Sequence, residues 1–204
     1  MTTRLDLRFA LRRKLEDTGI NPLWDDALLN DTLWNSLVRL GARIPLEASV
    51  SVPIPPNTTS IVVSPTILKE RLLRVIDPRG ELVPEALAFG PSGLGEARAW
   101  RWFNGRLILS RPLGSAETWT IEYRAVRTMP ADDVTPVQIE PEDEPIMIAM
   151  AAETILRRYA TEQMKRHGVA RVPLACAEAM MTEADRLLRD RRRNVRSGVL
   201  AVLA

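Results

Sequence analysis

The chain has 204 residues, 46% of them hydrophobic and 26% charged, and a formal net charge of +2. This is the balance of a folded, soluble protein able to bury a core without staples, and it excludes a polycation. A single cysteine, Cys176, and a single histidine, His167, exclude an intramolecular disulfide, a cysteine-built zinc site and a histidine-based metal cluster.

No apolar run follows Met1, so no signal peptide is expected. The longest apolar run, residues 146–152, falls well short of the ~20 residues that span a bilayer, so no membrane association is expected. Of the basic residues only Lys14, Lys69 and Lys165 are lysines. Arginine forms planar bidentate pairs and tolerates interfaces better than lysine, although a GC-rich genome or a hot host explains the same bias.

Thr3 is placed to cap a first helix with Leu5, Phe9, Leu11 and Leu15 as its apolar side, ended by Thr18-Gly19-Ile20-Asn21-Pro22. Asp25 or Asp26 then caps a second helix, whose stripe is Leu29, Leu33, Leu37 and Leu40 and whose stop is Gly41.

From 42 to 137 prolines become frequent and β-branched residues alternate with polar ones. Residues 48–54 and 59–64 read as strands about the turn Pro55-Pro56-Asn57, and 72–77 as a third before the turn Asp77-Pro78-Arg79-Gly80. The clearest hairpin joins Trp100-Arg101-Trp102-Phe103 to Arg106-Leu107-Ile108-Leu109 through Asn104-Gly105, which supplies the left-handed backbone of a tight turn. Trp119, Ile121, Tyr123 and Ala125 alternate with Thr120, Glu122 and Arg124, giving one buried and one wet face. Short strands at this spacing predict a small antiparallel sandwich or barrel.

Residues 138–204 return to helix. The acidic run Glu140, Glu142, Asp143 and Glu144 suits a helix start with Pro145 in its first turn. That helix runs to about Arg166, with Lys165, Arg166 and His167 in its last turn and Gly168 as its stop. A second helix follows Pro173, with Leu174, Ala177, Met181, Ala184 and Leu188 as a heptad-like seam. The seam fits an antiparallel hairpin on the preceding helix, or an intersubunit coiled coil. The end reads as an arginine-rich turn and an apolar tail, Val199-Leu200-Ala201-Val202-Leu203. The expected fold class is α+β: a helical bundle from N- and C-terminal helix pairs (1–42 and 138–193), an inserted small antiparallel β-sandwich or barrel (43–137), and a tail (194–204).

Chemistry is sparse. His167 reads as a cation at a helix C-terminus, and Cys176 as a small core residue. Gly90-Pro91-Ser92-Gly93-Leu94-Gly95 lacks the Lys-Ser/Thr of a phosphate loop and reads as a connection between strands. Trp100 and Trp102 read as core, with sugar or base stacking as the functional alternative. No metal, no cofactor and no enzymatic activity are expected. Arg4, Arg8, Arg12, Arg13 and Lys14, and a denser group of Arg186, Arg189, Arg191, Arg192, Arg193 and Arg196, can neutralise phosphates, form solvated faces or pair with acidic partners. Asp25, Asp26 and Asp31 argue against a DNA-reading second helix.

An Arg-rich first helix, then Leu23-Trp24-Asp25-Asp26 opening a Leu-bearing helix, resembles the start of bacteriophage head–tail connector (adaptor or neck) proteins. The likeness continues through a β-rich insertion opening with Ile44-Pro45 and Val52-Pro53-Ile54-Pro55. Ile139-Glu140-Pro141 then leads into the helix bearing Ile148-Ala149-Met150-Ala151-Ala152. The insertion is longer than in the compact members. The resemblance implies a virion structural protein, assembled in the host cytoplasm, that forms a homo-oligomeric ring of about twelve copies. Such a ring joins the portal protein to the stopper or tail-completion protein, and genomic double-stranded DNA passes through its lumen without sequence-specific binding. The C-terminal segment would engage the portal, here through Arg189, Arg191, Arg192, Arg193, Arg196, Val199, Leu200, Val202 and Leu203. Glu140, Glu142, Asp143 and Glu144 would form a lumen-facing acidic collar. The apolar helix from Ile146 and the tail would supply adhesive surface. The alternatives are a nucleic-acid-binding or DNA-packaging accessory, and a carbohydrate-binding β module using Trp100 and Trp102.

Overall fold

A computed structural model describes residues 2–86 and 98–200, with side chains to residue 191. The chain divides into two compact units: Met1–Ile44 together with Arg127–Ala204, and Pro45–Val126. Both ends of the chain thus build one helical unit, and the β-rich segment is an insertion, as expected. Its second boundary falls at 126/127, earlier than the expected 137. The connecting segment belongs to the helices because Val137 N–H donates to the Thr2 carbonyl (2.9 Å) and Thr3 bridges Pro136.

The helical unit contains α1 (Arg4–Lys14), α2 (Asp26–Arg43), α3 (Glu144–His167) and α4 (Arg171–Leu200). Thr3 caps α1 in a reciprocal capping box with Asp6, and Asp25 caps α2 through the Leu28 amide (2.7 Å). Of the expected apolar side of α1, Leu11 is buried and Leu5 and Leu15 are half-buried, but Phe9 is exposed, and Leu7 is buried in its place. The α2 stripe Leu29, Leu33, Leu37 and Leu40 is fully buried. Gly41 does not stop α2, which continues to Arg43. A Cβ there would meet the Arg127 side chain only at ordinary contact distance (3.8 Å).

α3 lies against α1, α2 and α4. That arrangement explains the apolar run at its start. Ile146, Met147, Ile148, Ala149, Met150, Ala151 and Ala152 are all buried within this unit, so they are not the adhesive surface expected of them. Gly168 closes α3 in the left-handed conformation (φ 68°). α4 starts at Arg171, before Pro173, and is helical without a break to Leu200, so no turn separates a tail at 194. It packs on α3 as a hairpin. Ala177, Ala184 and Leu188 are buried, but Leu174 is exposed, and Cys176 is exposed instead of in the core.

The β unit holds two antiparallel sheets and is not a closed barrel. One sheet has the order β1 (Leu46–Ile54), β7 (Glu117–Ala125), β3 (Leu72–Ile76) and β4 (Leu82–Val83). The other has β2 (Ser60–Val62), β6 (Arg106–Leu109) and β5 (Trp100–Phe103). Trp100 pairs with Leu109 across the expected hairpin, with Asn104 and Gly105 both at positive φ (46° and 73°). One core takes Ile54, Val75, Trp119 and Ile121 from the first sheet and Ile61, Trp100 and Leu107 from the second. The Trp100 indole donates to the Val83 carbonyl (2.8 Å), so Trp100 is committed to this core, while Trp102 is half-buried and packed against it. The Gly90–Gly95 connection lies outside the described residues.

Candidate functional site

Two of the expected functional residues, Asp143 and Arg191, meet where α4 passes the start of α3. Asp143 sits immediately before α3, is 0% exposed, and makes no capping hydrogen bond. Its two oxygens are taken instead by arginines: Arg127 at 3.1 Å and Arg191 at 3.0 Å. Arg127 is itself buried and also donates to the carbonyls of Gln138 (2.9 Å) and Ile44 (3.3 Å). One carboxylate thereby joins the end of α2, the segment re-entering the helical unit, the start of α3, and α4. A buried carboxylate is tolerated only with such pairing.

This arrangement corrects two expectations. Asp143 cannot line a lumen, because it is wholly enclosed by its own chain. Arg191 is not a wholly free partner-binding residue, because its Nε is committed to Asp143, while its side chain stays 24% exposed. Glu140 and Glu142 are exposed, and Glu144 is half-buried and accepts from the Thr2 hydroxyl (2.9 Å). Arg189 is exposed, with its Nε on the Asp185 carbonyl (3.2 Å). The side chains of Arg192, Arg193, Arg196, Val199 and Leu200, and all of Val202 and Leu203, lie outside the described residues. The backbone of 192–200 is helical and carries α4 roughly 14 Å beyond the Arg191–Asp143 contact.

The N-terminal basic group is largely spent within the chain. Arg4 and Arg8 grip Asp133 (2.7 and 2.8 Å), and Arg12 bridges Asp17 and Asp26 (both 2.7 Å). Lys14 holds Glu183 (2.7 Å). The hydrogen bonds from Arg8, then Arg4, hold the Asp133 carboxyl below the usual carboxylate range. Paired arginines of this kind are poorly placed to neutralise phosphate.

The Leu23-Trp24-Asp25-Asp26 segment has structural work at each of its positions, through the backbone alone at Leu23. Asp17, buried, accepts from the Leu23 amide (2.6 Å), and Arg12 donates to the Trp24 carbonyl (2.9 Å), so the α1–α2 connection is fixed. Trp24 meets Tyr159 edge to face at 6.2 Å. Asp25 caps α2, and Asp26 receives Arg12. Leu23 is left exposed, and with Phe9 and Ile20 it borders an open groove of about 970 Å³ between α1 and this connection.

Apolar side chains that do face outward lie at positions not expected from the sequence: Trp34 and Val38 on α2, and Val169 and Val172 at the α3–α4 corner. Asp17, Arg127 and Asp133 were likewise not expected to matter. Nothing in their local pattern distinguishes them, because their partners are distant in the chain.

No protein-family model matches the sequence, and no curated protein matches it. Among the described residues, no group of three or more His, Cys, Asp and Glu side chains is arranged to hold a metal ion. No described helix is long and apolar enough to cross a membrane.

Proposed function

We propose that this chain is the subunit of a bacteriophage head–tail connector ring, a virion structural protein at the neck that joins the portal to the stopper or tail-completion protein. Genomic DNA passes through the lumen without sequence-specific contact. The observation that carries the reading is the architecture. A helical unit made from both chain ends holds a β insertion, and its last helix runs on past its anchoring contact at Arg191. In this reading the portal contact falls to the exposed Arg189 and to the residues beyond that anchor, Arg192, Arg193, Arg196, Val199, Leu200, Val202 and Leu203. Arginine and apolar groups together suit an acidic and apolar cleft. The acidic collar reduces to Glu140 and Glu142, with Glu144 partly covered.

The test is deletion of residues 194–204, a cut that spares Arg191 and its contact with Asp143. The truncated protein is expected to lose only the helical turns of residues 194–200, to keep its melting behaviour, and to lose binding to the cognate portal protein. Normal docking of the truncated protein refutes the assignment of the tail.

A further inference from the structure

A ring needs two different patches that meet around a closing rotation. The helical unit carries two patches that differ in shape and charge. On α2, Trp34 (53% exposed) and Val38 (47%) stand one turn apart. They share the outward stripe with Ala27, Asp31, Asn35 and Ala42, all exposed, and Asp31 is the stripe's one charge. At the α3–α4 corner, Val169 (67%) and Val172 (71%) stand out, and Lys165, Arg166 and Arg171, close to them in sequence, are exposed as well.

Most neighbouring charges are consumed in the chain: Arg39 and Arg157 on Glu153, Arg43 on Asp185, Arg158 on Glu162. Asp31 and Arg171 are in no ion pair among the described residues.

We infer that the α2 stripe of one copy packs on the α3–α4 corner of the next, with Trp34 and Val38 against Val169 and Val172 and with Asp31 facing Arg171. This rests on the connector reading and names the contact between its subunits. Pairing either patch with itself would set like charges together, so the two patches fit each other and the contact is head-to-tail. Tryptophan at the centre of a charge-poor patch is the residue type that anchors interfaces. Opposite charges at the edge fix register and reject the self-paired arrangement.

The chain's own cysteine makes the contact testable. Cys176 is exposed on α4, one turn beyond Val172. Asn35→Cys adds a thiol inside the α2 stripe and leaves Trp34 and Val38 intact. A short bismaleimide applied to concentrated Asn35→Cys protein is expected to give a denaturing-gel ladder reaching three copies and beyond. Cys176→Ser is expected to abolish the ladder. Asp31→Arg should lower the cross-linked fraction severalfold, and adding Arg171→Asp should restore it. Products that stop at the dimer overturn the head-to-tail contact. Higher oligomers by native mass spectrometry without the 35–176 cross-link overturn this interface and leave the connector reading standing. Monomer at every concentration also overturns it, while the connector reading is decided separately by portal binding.

Discussion

Replacing Asp143 with asparagine removes one negative charge from between two arginines and leaves its shape almost unchanged. Asp143 is fully enclosed, the Arg127 side chain is 3% exposed and that of Arg191 is 24% exposed. Removing one partner of a buried pair costs about 3–5 kcal/mol, because the remaining charge stays buried without compensation. Here Arg127 keeps its bonds to the Ile44 and Gln138 carbonyls, and Arg191 can turn toward water. Both effects place the cost near the lower end, about 3 kcal/mol. For a protein of this size each kcal/mol lowers Tm by roughly 2–4 °C, so the expected drop is about 6–12 °C. Asp143 and both arginines belong to the helical unit, so the helix signal in the far ultraviolet is the probe to follow, by heat and by urea. Glu162→Gln serves as the comparison. It breaks the Arg158 pair, whose side chains are 62% and 48% exposed, and should cost no more than about 0.5 kcal/mol. The reasoning is refuted if Asp143→Asn is no more destabilising than Glu162→Gln.

The segment leading into α3 has its own pH signature. The Thr135 amide, then its hydroxyl and the Val134 amide, hold the exposed Asp132 carboxyl down from 3.8 to about 2. A folded-state value below the unfolded one means that the stabilisation is present above the unfolded value. It is lost as pH falls from near 3.8 through about 2. A carboxyl titration followed by NMR should place the Asp132 midpoint near 2, and a midpoint at the ordinary value would contradict these hydrogen bonds. At the other end of the same unit, Thr3→Ala removes the α1 cap and should cost about 1 kcal/mol in thermal unfolding. A cost indistinguishable from zero would mean that the capping box does not operate.

Elements whose partners lie close in sequence were legible. The α2 stripe, the Asn104-Gly105 hairpin and the Gly168 stop each depend on a local period or a single backbone requirement, and each stands as expected. Elements decided by distant partners were not. Residues 146–152 look adhesive when α3 is considered with one neighbour, yet three helices cover them. Phe9 and Leu7 are equally apolar, and only the position of α3 and its neighbours decides that Leu7 is buried. The same holds for the candidate site. Arg191 and Asp143 read as two separate outward-facing groups because the expected hairpin returns α4 toward the start of α3 without fixing which side chains meet there. Gly41 failed as a stop because its position lies alongside the Arg127 side chain without crowding, and the helix has no reason to end there.

The central claim is that this chain acts by adhering to its own copies and to the portal. The most direct measurement is the mass of the complex formed when the protein is mixed with assembled cognate portal. The account predicts a closed set of about twelve copies seated on one face of the portal. Failure to bind, or a single copy bound to the assembled portal, would contradict it.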